Sequence, residues 1–73
     1  MKFSIPFKNL NGESKIITAA LSAREVESVE SLRRAKGEDK ANEVASAYAL
    51  RAAYCEVPRG YKHSQPPTLV AVS

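Results

Sequence analysis

The 73-residue chain has no tryptophan and only one cysteine, one histidine and one methionine. A single cysteine excludes an intrachain disulfide and points to a reducing compartment. One His and one Cys cannot supply the three or four ligands of a structural zinc, so no metal is expected. The three glycines, at 12, 37 and 60, are too dispersed to cradle a phosphate, and no cofactor is expected either. Apolar runs fall far short of the roughly 20 residues that cross a membrane. The first residues interleave Phe3, Ile5 and Phe7 with polar residues and Pro6, which is not the apolar run of a signal peptide. A cytoplasmic protein is the expectation. Catalysis is not: Cys55 and His63 form a nucleophile pair only on paper, with no third group to orient them. Cys55 moreover falls on an apolar helical stripe, where a buried, inert thiol is expected.

What the chain does contain is apolar at 44%, but much of that is alanine. A chain of this size buries only about 60% of the surface it exposes when unfolded, so a thin core and marginal stability follow. The net charge of +3 is unevenly placed. Residues 1–24 carry Lys2, Lys8, Lys15 and Arg24 against Glu13, and residues 57–73 carry Arg59 and Lys62 with no acid. The middle, 25–56, has five bases and seven acids. Positive charge at both ends of the sequence suits an acidic partner surface without demanding nucleic acid.

The alternation of Phe3, Ile5 and Phe7 with Ser4, Pro6 and Lys8 has the period of a half-buried strand. Pro6 cannot donate to a ladder and assigns this strand to a sheet edge. Asn11-Gly12 predicts a two-residue hairpin turn. If Leu10 pairs with Glu13, Phe7 lies opposite Ile16, Ile5 opposite Thr18 and Lys8 opposite Lys15. One hairpin face then carries Phe3, Ile5, Phe7 and Ile16, and the strand at 15–21 gains β-branched character from Ile16, Ile17 and Thr18.

Ser22 and Glu25 stand at capping-box spacing, and Leu21 and Val26 form the accompanying staple. Lys36 suits the carbonyl end of a helix, and Gly37 can take the left-handed conformation that stops it. A first helix over 22–36 shows Val26, Val29 and Leu32 on one side, with Glu27, Glu30, Arg33 and Arg34 as an ordinary solvated face. Acids at Glu38 and Asp39 open a second helix over 38–56. Its stripe of Ala41, Val44, Ala45, Tyr48, Ala52 and Cys55 is assigned to the core. A second strip, Ala47, Leu50 and Tyr54, is either a protein-binding surface or covered by the hairpin or the first helix. Val57-Pro58 ends the helix. Arg59 to His63 is a short basic patch holding Tyr61, and residues 62–73 are a flexible tail or a short strand that pairs with the hairpin edge.

The fold expected is therefore α+β: one small domain over 1–61, with a β-hairpin over 2–21, two helices and an extended basic tail. Two resemblances give this a functional direction. The segment Lys15 to Leu50 resembles the ribbon-helix-helix family in Lys15-Ile16-Ile17-Thr18-Ala19-Ala20-Leu21-Ser22, then Val26, Val29, Leu32, Gly37, Val44, Ala47 and Tyr48. That likeness implies a dimer whose paired strands enter the DNA major groove, with Ile16, Thr18 and Ala20 facing outward. Only Thr18 among these can hydrogen-bond a base edge, and Glu38 and Asp39 stand where the family approaches phosphate. As a whole, in size, charge and the Asn-Gly hairpin leading into capped helices, the chain resembles the small early proteins of lytic phages that bind host RNA polymerase. This second resemblance implies a monomeric, non-enzymatic regulator in the host cytoplasm that inhibits initiation or acts in antitermination. The expected contact residues are Lys2, Phe3, Lys8, Lys15, Leu50, Tyr54, Arg59, Tyr61 and Lys62.

Overall fold

A computed structural model describes residues 1–71, so Val72 and Ser73, the end of the expected tail, lie outside the described residues. Strands β1 (Lys2–Lys8) and β2 (Ser14–Ala20) form an antiparallel hairpin. Helices α1 (Ala23–Lys36) and α2 (Glu38–Glu56) follow, then short strands β3 (Lys62–His63) and β4 (Thr68–Ala71). The architecture is the expected α+β, two N-terminal strands and then two helices packed on an antiparallel sheet.

The hairpin register differs from the expectation by one residue. Phe7 lies opposite Lys15, Ile5 opposite Ile17 and Phe3 opposite Ala19. The turn is closed by Asn9, whose amide donates to the Glu13 carbonyl at 3.1 Å. The Asn9 Oδ1 accepts from the Asn11 and Glu13 amides at 3.0 and 2.9 Å, and its Nδ2 donates to Glu13 Oε1 at 2.8 Å. The loop is therefore three residues long, Leu10 to Gly12, with Gly12 at φ 82 in the left-handed position that such loops require. Because strand side chains alternate, this single step turns β2 over. Ile17 and Ala19 join the buried side, whereas Ile16 is 69% exposed and does not share a face with Phe7. Lys8 now faces Ser14 instead of Lys15.

The residues after α2 add to the sheet as strands. β3 and β4 both pair with β1, opposite Phe7 and Lys8 and opposite Lys2, Phe3 and Ser4 respectively. This puts β1 at the centre of the sheet, contrary to the edge position that Pro6 suggests. The reason is geometric. The Pro6 carbonyl accepts from the Ser64 amide at 2.9 Å, so its nitrogen points to the same side, where the third row is interrupted between β3 and β4. The missing N–H falls in the one place that needs none.

The core lies between the helices and one sheet face. Phe3, Ile5, Phe7 and Ala19 meet Val29 of α1 and Ala41, Ala45, Ala49 and Ala53 of α2, with Met1 and Leu21 closing one end. The buried stripe of α2 thus repeats every four residues in alanine, which lets the helix approach the aromatic side chains closely. Val44, Tyr48 and Ala52 are only partly buried, and Cys55 is exposed, not the core thiol expected. The stripe is turned slightly from the one expected: the alanines join Phe3, Ile5 and Phe7 in the core, and the larger Val44 and Tyr48 lie at its margin.

The capping box at Ser22 forms as expected. Ser22 Oγ accepts from the Glu25 amide at 3.2 Å, and Glu25 Oε1 accepts from the Ser22 amide at 2.9 Å. Gly37 alone joins the helices, at φ 98 and ψ 173. Its amide caps the Arg33 carbonyl and its own carbonyl starts α2 by accepting from Ala41.

Candidate binding face of the sheet

Residues that alternate with the buried Phe3, Ile5 and Phe7 must point away from the helices. On β1 these are Lys2, Ser4, Pro6 and Lys8; their partners on β2 are Ala20, Thr18, Ile16 and Ser14. Lys62 lies opposite Lys8, and Thr68 opposite Ser4, on the same face. Neither α1 nor α2 covers this side. It presents a small apolar centre, Pro6 beside Ile16, among hydroxyls, with lysines towards both ends of β1. At about 3.3 Å per residue, Lys2 and Lys8 are about 20 Å apart along the strand.

Lys8 and Lys62 are 54 positions apart in sequence and directly opposite in the sheet. Like charges facing each other across strands are unfavourable. Among the described residues, the ion pairs join Arg33 to Glu30 and Lys40 to Glu43, both within helices, and none neutralises Lys2, Lys8, Lys15 or Lys62. The two positive ends of the sequence thus converge on one layer. The strands and their loops hold Lys2, Lys8, Lys15, Arg59 and Lys62 against Glu13, while the acids concentrate in the helices. Beside Lys8 and Lys62 a shallow depression of about 450 Å³ opens, lined also by Asn9, Leu10, Gly60, His63 and Ser64. Leu10 projects fully into solvent at its rim.

The expected contact residues divide into three groups. Lys2, Lys8 and Lys62 lie on the open face. Lys15 shares the helix side with Phe7, and its ammonium stands 6.0 Å from the centre of the Tyr61 ring, within cation–π range. Arg59 is exposed in the turn that Gly60 completes at φ 95, next to half-buried Tyr61. The other three are tied into the fold. Phe3 is 6% exposed and Leu50 packs against the core. Tyr54 meets Phe7 edge to face with centroids 5.1 Å apart. Its hydroxyl accepts from the His63 amide at 3.1 Å and lies 2.7 Å from His63 Nδ1. The Ala47, Leu50, Tyr54 strip is therefore partly covered, by β1 and β3 together.

The expected hairpin register places Ile16 on the buried face, and only the ribbon-helix-helix resemblance turns Ile16 and Thr18 outward; Leu10 as a surface group, and Ser4 and Thr68 as hydroxyls of the face, are passed over. The signal for the hydroxyls was present, because each alternates with an apolar neighbour. Among the described residues no cluster of metal-ligating side chains occurs, and no helix is long and apolar enough to cross a membrane. Comparison with protein-family models, with curated proteins and with solved structures gave no match to this chain.

Proposed function

We propose that this chain is a non-enzymatic transcription regulator that docks on bacterial RNA polymerase during phage infection and inhibits initiation or acts as an antiterminator. The observation that supports this reading is the uncovered sheet face on which Lys2, Lys8 and Lys62 stand without a carboxylate partner around Pro6 and Ile16. An apolar centre with a charged rim suits a protein surface, where the centre supplies desolvation and the rim steers encounter with an acidic patch. The two regions that the phage-protein resemblance assigns to the polymerase, the first strand and the basic C-terminal segment, are neighbours on that face.

The test is capture of purified RNA polymerase by the full chain, read together with promoter-dependent transcription in vitro. Binding that falls steeply with salt and is lost when Lys2, Lys8 and Lys62 are all changed to Glu supports the reading. Absence of binding, or binding indifferent to that triple change, overturns it. One observation favours a second reading, a ribbon-helix-helix DNA-binding repressor: Ile16, Thr18 and Ala20 are all exposed on the open face. Against it, β2 is already paired along its length with β1 of the same chain, and Glu38 and Asp39 would repel phosphate. Salt-dependent binding to duplex DNA without polymerase would transfer support to this reading.

A further inference from the structure

The ladder fixes how closely Lys8 and Lys62 are held. The Ser64 amide donates to the Pro6 carbonyl at 2.9 Å, and hydrogen-bonded pairs recur at every second residue of an antiparallel ladder, so Lys8 and Lys62 form the next such pair. Their Cα atoms are then about 5.5 Å apart, with both side chains on the open face. No carboxylate lines the depression of about 450 Å³ beside them. Glu13, the one acid outside residues 25–56, has its carboxylate held by Asn9 Nδ2 at 2.8 Å.

His63 lines the same depression, and Tyr54 sets its tautomer. The Tyr54 oxygen accepts from the His63 amide at 3.1 Å, so its own hydrogen serves the 2.7 Å contact with Nδ1. The imidazole proton then resides on Nε2, which is a donor whether the ring is neutral or protonated. Two ammonium groups and one ring N–H therefore belong to one concavity, and Leu10 adds apolar surface at its rim.

We infer that this depression binds the phosphate monoester of a small molecule, with the organic part of that molecule against Leu10. Charge decides the class of ligand. A phosphate monoester carries about −1.5 to −2 at pH 7 and three terminal oxygens, enough to neutralise both lysines and still accept from the ring N–H. A carboxylate or a phosphodiester carries a single charge and leaves one lysine of the pair uncompensated. Size favours an organic ester over the bare ion, since the volume falls within the range of about 300–1,000 Å³ typical of small-molecule sites. Binding also removes the repulsion between Lys8 and Lys62, so the ligand should raise the melting temperature of the chain.

The experiment is a titration of the full chain with phenyl phosphate at pH 7, followed by amide and imidazole chemical shifts, with no polymerase or DNA present, so its result is independent of the polymerase reading. Saturable shifts at Leu10, Gly60, Lys62 and His63 are expected, with an affinity in the low-millimolar range. Benzoate and methyl phenyl phosphate, which keep the ring and carry one charge, should each bind about tenfold more weakly, a difference of about 1.4 kcal/mol. Inorganic phosphate should also bind more weakly than phenyl phosphate. The double change Lys8→Gln with Lys62→Gln should abolish saturation. Lys2→Gln with Arg24→Gln, which alters net charge equally outside the depression, should leave it intact. All four side chains are exposed, so circular dichroism should report an unchanged fold. Shifts that fail to saturate overturn the inference, as do equal affinity for benzoate, the diester or inorganic phosphate and equal losses in the two double variants.

Discussion

At the residue scale, three small groups set the geometry of this molecule. Gly37 is the only residue between two helices, and its φ of 98 with ψ of 173 is a conformation that side chains strongly disfavour. Replacing it with alanine meets no atom nearby, so the cost is backbone strain alone. Gly37→Ala should destabilise by about 1–2 kcal/mol in urea unfolding with an unchanged slope. Tyr54 is the second. Its hydroxyl fixes His63 by both ring and backbone, so Tyr54→Phe should keep the contact with Phe7 and lose about 1 kcal/mol. Asn9 is the third, and it explains why the hairpin register could not be read. The Asn-Gly pair is a sound turn signal, but the side chain two residues earlier captures two backbone amides and lengthens the loop by one. Ser22 and Glu25, by contrast, act on neighbours three residues away, and their cap was legible because it is local.

At the element scale, the helices were legible in full, since caps, Gly37 and Val57-Pro58 mark every boundary. Which face α2 buries was less so. Alanine at 41, 45, 49 and 53 carries a weak hydrophobic signal, and only the aromatic side chains of β1 reveal why small residues belong there. Ala49→Leu should overpack that seam and cost about 1–3 kcal/mol, whereas substitutions at exposed Ala47 should be nearly silent. β3 and β4 are the elements that sequence patterning could not settle, because each is short and held by pairing to β1 over 50 residues away. Their role is covering the second side of the central strand. Deleting residues 62–73 should therefore lower the unfolding midpoint and expose Phe7 to hydrophobic dye binding, and a midpoint unchanged by the deletion would show the row to be dispensable.

At the scale of the whole molecule, the separation of charge between the sheet and the helices emerges only on folding, when two positive segments at opposite ends of the sequence become adjacent strands. The composition showed that the charge lay at the ends; the distance between Lys8 and Lys62 along the chain hid that they would stand opposite each other. That juxtaposition is a cost to the free protein, and a site built for a partner often retains such a cost. Changing one of the two lysines to an acid should then move stability and binding in opposite directions. Lys62→Glu converts a repulsive cross-strand pair into an attractive one, a gain of about 0.5 kcal/mol, or about 2–4 °C in the melting temperature of a domain this small. Because the pair is exposed, the gain should shrink as salt is raised. On the reading proposed above, the same change removes one cation from the open face and should weaken capture of RNA polymerase. Thermal unfolding at low and high salt, paired with the capture assay, reads both effects on one variant. A stabilised variant that binds as well as the original would mean that the lysine pair serves neither the fold nor the partner.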